Sequence, residues 1–353
     1  MKIWADKCNL FDHCVAIGLA SILANEGYRV SLYWPSERGI QVDTHSSFDK
    51  ELSEVNDDIK IAELAVGYAK KVLEAGWLLE GQFFSWPPKS IDGEGKITAK
   101  SNAVSSLNPH TKPKDDKHWN AYQKCRCSCF DSETMREDML AQMEFQNLGL
   151  PSRWSWETKT KNRLSDGTSR WEMFNHARGD NFSGKYYVGI CKKVAELYKN
   201  MDDAASSIRG DLQSPYYVNG DELTHGLCQK ERPVNYLQLW CALHAFSCFP
   251  TRPVVPSSKY SSASNTVGYI RAKSGSGKFC MPVFNHPVYL ERYKSVMRSY
   301  LLYEACSERS KNTDVSEIMS KLGVDAIYVF QETVDKSMES NTLHWAQLGK
   351  RVL

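Results

Sequence analysis

Three clusters in this 353-residue chain have the residue types and spacing that chemistry needs. Glu157-Thr158-Lys159, with Asp138 upstream, follows the acid–x–lysine order of metal-dependent nucleases. There two carboxylates hold the metal and a lysine orients the attacking water. The pattern is short, and an ordinary exposed strand face accounts for it more simply. Cys125, Cys127 and Cys129 are soft metal ligands, with His118 or the pair His13 and Cys14 as a source of the fourth. Their one-residue gaps are tighter than the usual structural zinc spacing, so three thiols without a metal are expected. Gly275-Ser276-Gly277-Lys278 suggests a phosphate loop, but Ala272 stands where that loop needs its first glycine and Phe279 where it needs a hydroxyl. The segment reads as a hairpin turn. His244 lies in an apolar helical stretch and reads as a core histidine. No Ser/His/Asp or Cys/His set assembles from local signals. The expectation is a protein that is not an enzyme and carries no cofactor and no metal.

Binding chemistry is better represented. On a strand expected over 153–163, Lys159, Lys161 and Arg163 share a face with Glu157, while Trp154 and Trp156 share the other. Adjacent like charges on one strand face repel unless an anion lies over them. A second strand, 169–174, brings Arg170 and Trp171. In a hairpin over 267–284, Tyr269, Arg271 and Lys273 share a face by period two, with Lys278 across the turn. Arg252, Lys259 and Tyr260 sit in the Pro/Ser-rich stretch before it. Basic residues interleaved with aromatics fit backbone-plus-stacking recognition of nucleic acid. A solvated basic face, or another anion, would use the same residues.

The net charge of +2 hides an asymmetry. Residues 1–84 hold 8 Lys/Arg against 13 Asp/Glu, and residues 228–312 hold 12 against 4. Such a split suits an anionic partner on one side and a different partner on the other, or two regions that neutralise each other. With 42% hydrophobic and 24% charged residues, the composition is that of a packed globular protein. No apolar run approaches the length a bilayer requires. The apolar stretch from Val15 to Ala24 follows Asp6, Asp12 and His13 and reads as a helix of the fold, not a leader. Eleven scattered cysteines point to a reducing compartment, hence a cytoplasmic location without membrane contact.

The elements that must position these groups follow from periodicity. Helices are expected over 11–25, closed by Gly27, over 57–75, closed by Gly76, over 132–148 with Thr134 and Glu137 in capping-box spacing, and over 182–200. The stretch 235–249 is apolar all round and predicts a buried central helix. Pro287 is placed to start a helix reaching Tyr303. Strands are expected over 28–34, 77–86 and 326–332. The fold class is α+β: a mixed sheet-and-helix N-terminal and central region with a helical C-terminal part. The expected divisions are an α/β domain over 1–99, a long loop over 100–131, a central nucleic-acid-binding region over 132–286 and a helical and stranded segment over 287–353.

FDHCVAIGLASILANEGYRVSLYW, SRWEMFNHARGDNF, YLQLWCALHAFSCFP and FCMPVFNHPVYLERYKSVMRSYLL together resemble the large-subunit family of type I CRISPR effector (Cascade-like) complexes. The resemblance implies a non-catalytic, nucleic-acid-binding subunit of an RNA-guided complex. Its implied partners are guide RNA, target double-stranded DNA and other effector-complex protein subunits. It also implies reading of a short motif beside the target, which needs side chains that reach base edges. By position, Asn108, His110 and Lys112 in the long loop are candidates for that reader, and Asn175, Arg178 and Asn181 form a second set. The chain is short for such a subunit, which implies a C-terminal bundle that is reduced or supplied by another polypeptide. A metal-dependent nuclease and a protein-only assembly subunit are the alternative readings.

Overall fold

Fourteen consecutive residues of one helix, Leu10 to Leu23, are buried, and the other layers are arranged around that helix. In the computed structural model the described residues are 1–46, 53–75, 83–85, 103–105, 107, 116–149, 187–218, 233–252, 265–271, 277–306, 313–338 and 341–353. The chain opens with β1 (Lys2–Asp6), α1 (Leu10–Asn25), β2 (Arg29–Tyr33), β3 (Arg38–His45) and α2 (Asp58–Ala75). The pair β4 (Phe83–Ser85) and β5 (Ala103–Ser105) precedes α3 (Asp116–Phe130), α4 (Glu133–Glu137) and α5 (Met139–Asn147). Next come α6 (Gly189–Leu197), α7 (Met201–Arg209) and α8 (Tyr236–His244), the last running into a 3-10 turn at Ala245–Cys248. Strands dominate from there: β6 (Thr251–Arg252), β7 (Asn265–Thr266), β8 (Tyr269–Arg271), β9 (Gly277–Val283) and β10 (Val288–Tyr289). The chain closes with α9 (Leu290–Met297), α10 (Tyr300–Cys306), α11 (Thr313–Lys321), β11 (Ala326–Met338), β12 (Asn341–Ala346) and β13 (Lys350–Arg351). The fold is α+β, and none of the described helices is long and apolar enough to cross a membrane.

α1 begins where Asn9 accepts the Phe11 N–H and ends before Gly27, whose φ of 95° suits a residue without Cβ. Its few polar residues fasten it in place. Asp12 accepts the Asp6 N–H at 2.8 Å, and His13 Nε2 bonds the Lys7 carbonyl at 2.9 Å. Ser21 donates to Ile17 O and receives the Ser247 hydroxyl from the turn after α8. One side of α1 packs on a four-stranded antiparallel sheet ordered β1-β3-β2-β10. The other packs on α8, all nine residues of which are buried. At the crossing stands Gly18, where an added Cβ would overlap the carbonyl of Cys241. α8 is in turn tied to α2 by the Trp240 indole N–H, which donates to Ala65 O at 3.2 Å.

A second sheet, ordered β12-β11-β9-β8 with β13 also on β11, joins the first where the Trp34 N–H donates to Phe284 O at 2.7 Å. Its strands and β10 cross the expected divisions: β10 pairs with β2, and β11 pairs with β9. Local detail also departs from the sequence reading. Residues Asp116–Phe130 form α3, not part of a loop, because Tyr122, Arg126 and Cys129 recur at helical spacing and are buried. The helix expected over 132–148 is two helices broken at Asp138, with Ser132 rather than Thr134 as the first cap. Pro287 precedes β10 instead of starting a helix, since that stretch finds a strand partner in β2. The strands expected over 153–163 and 169–174 lie outside the described residues.

The crossing predicts opposite outcomes for two glycines. Gly18→Ala forces α1 and α8 apart and should cost at least about 2 kcal/mol. Gly67→Ala, in α2 with open space around it, should stabilise by about 0.5–1 kcal/mol. Urea midpoints of the two variants against the parent check both.

Candidate nucleic-acid interface

Thirteen of the residues singled out from sequence lie outside the described residues: Asn108, His110, Lys112, Lys159, Lys161, Arg163, Arg170, Asn175, Arg178, Asn181, Lys259, Tyr260 and Lys273. Glu157 lies outside them too. Of the others, Arg252 ends β6, Arg271 ends β8 and Lys278 is the second residue of β9. The hairpin forms as expected, with β8 and β9 paired antiparallel. Lys278 stands opposite Ile270, whereas Arg271 stands opposite Gly277 and Tyr269 opposite Phe279. Opposed residues share a face, so Lys278 is on the other side from Tyr269. Tyr269 faces inward: it is buried, and its hydroxyl donates to Glu332 Oε2 at 2.5 Å.

The carboxylate and cysteine candidates also have structural employment. Asp138 caps α5 by accepting the Ala141 N–H at 3.0 Å and accepts the Tyr68 hydroxyl at 2.9 Å. Cys125 and Cys129 lie one helical turn apart on α3, and Cys127 is exposed on the other side. Burial pushes the Cys129 thiol up to about 12, which keeps it protonated. No group of three His, Cys, Asp or Glu side chains among the described residues could hold a metal ion.

The most concentrated titratable cluster is a buried one that the sequence did not expose. His244 Nδ1 and Glu144 Oε1 share a hydrogen bond of 2.5 Å, with both side chains wholly inaccessible. Tyr68, Tyr187 and Trp240 stand edge-on around the imidazole at 4.2–5.6 Å between ring centroids. Burial pushes His244 down to about 3 and, with the nearby Asp138 charge, raises Glu144 well above its ordinary range. A neutral imidazole beside a protonated carboxyl removes both charges from the core. A site without solvent access cannot receive a substrate, so this pair is a fastener between α5 and α8.

The arrangement that can meet a partner is the far side of the first sheet. Ile3, Ala5, Val30, Leu32, Ile40, Val42 and Val288 point into the core. The alternate residues therefore point outward, as in any antiparallel sheet packed on one side. The pairing arranges them in rows: Lys2, Gln41 and Tyr33; then Asp43, Ser31 and Tyr289; then His45 and Arg29. Trp4 on the β1 edge is 56% exposed and Tyr289 on the opposite edge 39%. The Arg29 guanidinium lies 4.3 Å above the Tyr289 ring. His45 meets that ring edge-on at 5.3 Å and bonds Ser31 Oγ at 2.8 Å. The one carboxylate in the rows, Asp43, is held by Gln41 at 2.6 Å and lies 3.8 Å from the terminal amine.

No protein-family model and no curated protein matches this chain. Sequence reasoning found only one strand of this face, YRVSLYW, whose Arg29, Ser31 and Tyr33 alternate outward; the other rows come from strands distant in the chain.

The proton on Glu144 has a measurable consequence. A carboxyl raised in the folded state contributes stability that is present below its unfolded value, about 4.5, and lost as pH rises. Relative to Glu144→Gln, the parent should lose stability as pH rises above about 4.5, by no more than one proton's worth per pH unit. Urea unfolding at stepped pH measures it; a constant difference would mean that Glu144 is ionised in the fold.

Proposed function

We propose that the protein is a non-catalytic nucleic-acid-binding subunit of an RNA-guided CRISPR type I effector complex, where it contacts guide RNA and target DNA beside other protein subunits. The observation that carries this reading is the outward face of the first sheet, where Lys2 and Arg29 alternate with the rings of Tyr33, His45 and Tyr289 and with Trp4 on the edge. Cations supply sequence-independent attraction to phosphates, and rings supply base stacking. The resemblance of four stretches of the chain to large subunits of such complexes supplies the biological setting. Asp138, occupied by the α5 cap and by Tyr68, is poorly placed to serve a metal, which speaks against the nuclease alternative.

Binding of the purified chain to labelled single-stranded and duplex DNA and RNA across a salt series tests the reading. Affinity should fall linearly with log salt, and the Lys2→Ala/Arg29→Ala variant should have a slope shallower by about 1.4–1.8 units, two phosphate contacts' worth. Absence of binding at low salt, alone or with co-expressed neighbours, would contradict it and leave a protein-only assembly role.

A further inference from the structure

We infer that the loop after α7 docks another protein, with Leu212 entering an apolar pocket on that partner and lysines or arginines of the partner ringing the pocket. This goes beyond the nucleic-acid reading, which concerns the first sheet. Exposure is the first argument. Leu212 is 99% exposed, and Tyr216 and Tyr217, which follow within five residues, are 37% and 41% exposed. Single apolar residues at a surface are ordinary. A leucine almost wholly in water beside two half-exposed rings is a patch of the kind that protein partners cover, and tyrosine is prominent among residues that anchor such contacts.

The second argument is that the loop is built to hold this display. α7 ends at Gly210, with φ 77°, whose N–H is shared by Ser206 O and Ser207 O, while the Asp211 N–H returns to Ser206 O. The Ser214 N–H donates to Asp211 O at 3.0 Å, the Ser214 and Tyr217 hydroxyls lie 3.1 Å apart, and the Val218 N–H donates to Val234 O at 2.7 Å. Tyr216 has φ 64°, in the left-handed region that a residue with a Cβ seldom adopts. It is held there by the Tyr236 N–H on its carbonyl at 3.2 Å and by Tyr198, edge-on to its ring at 5.1 Å. Strain that neighbouring bonds maintain is a mark of function, and a loop ordered beforehand loses less entropy on association.

Charge decides which partner fits. Arg209, the cation nearest to Leu212 along the chain, is already held by Asp211 at 2.8 and 3.1 Å and by Asp58 at 3.3 Å. The terminal amine, 3.7 Å from Asp58, has Asp43 at 3.8 Å as well. Glu54 and Asp57, both exposed, lie in the segment that leads to Asp58. Carboxylates therefore outnumber cations beside the loop. They repel phosphates, and the aliphatic Leu212 has no ring face on which a base could stack. A second copy docked through a two-fold axis would set the same carboxylates against one another. A different protein, with cations around an apolar pocket, matches both the leucine and the acidic surround.

The test uses the full tagged chain, co-expressed in turn with each protein encoded beside it, followed by titration of any purified pair. At least one neighbour should co-purify, with an affinity that falls as salt rises. Leu212→Asp should weaken that affinity at least about tenfold, the effect of losing an interface anchor. Leu212→Met, which keeps an apolar side chain of similar size, should retain it, and matched thermal midpoints establish that the variants are folded. No co-purifying neighbour, or one bound equally well by Leu212→Asp, overturns the inference. Self-association of the purified chain that Leu212→Asp abolishes also overturns it, because the occupant is then a second copy. Anisotropy with oligo(dT) separates this inference from the nucleic-acid reading, since Leu212→Asp should bind oligo(dT) as the parent does. Loss of oligo(dT) binding in that variant assigns the loop to nucleic acid and overturns the inference. Association that depends on Leu212 without any oligo(dT) binding sustains it while the nucleic-acid reading falls.

Discussion

The close crossing of α1 and α8 at Gly18 is the constraint on which the rest of the structure depends. Both helices are buried on nearly every side, and the backbone of one touches the backbone of the other where a methyl group would not fit. Such a contact fixes two layers at once: the sheet that α1 supports and the helices that α8 gathers through Trp240 and the Glu144–His244 bond. Polar atoms inside this layer are few, and most are fastened within it. Asp12, His13 and Ser21 each bond a named backbone group, so the core carries directional constraints as well as apolar contacts.

The sheet inherits its one-sidedness from that arrangement. α1 covers one face, and alternation sends Lys2, Trp4, Arg29, Gln41, Asp43 and His45 to the other. β10 then adds Tyr289 beside Ser31, which completes a surface with a ring at each edge. The acidic balance of residues 1–84 does not describe this face. Asp12 points into the core, Asp58 lies within ion-pair reach of the terminal amine and Arg209, and Glu26 pairs with Lys71. Charge counted along a segment says little about charge on one side of a sheet.

Elements whose identity is local were legible in the sequence. The helical spacing before Gly27 located α1 to within a residue, Asp57 accepts the Ile59 N–H at the start of α2, and the all-round apolar stretch marked α8 as buried. What was not legible is non-local. β10 is two residues long and is a strand only because β2, more than two hundred positions earlier, offers it an edge. Its pairing is what displaces the helix expected from Pro287. The same holds for the candidate face: Arg29, Ser31 and Tyr33 announce an outward side, but nothing local says that Lys2, His45 and Tyr289 will stand beside them. The hairpin at 269–283 shows the same. Period two alone gave Tyr269 no direction, and Glu332 from a distant strand accepts its hydroxyl inside the core.

The most direct test of the account is photo-crosslinking of the purified chain to a single-stranded RNA carrying 4-thiouridine, followed by mass-spectrometric mapping. A ligand lying across the first sheet predicts cross-links on the peptides that contain Tyr289 and Trp4, lost on competition with unlabelled strand. Cross-links confined to other surfaces, with none on either peptide, would contradict it.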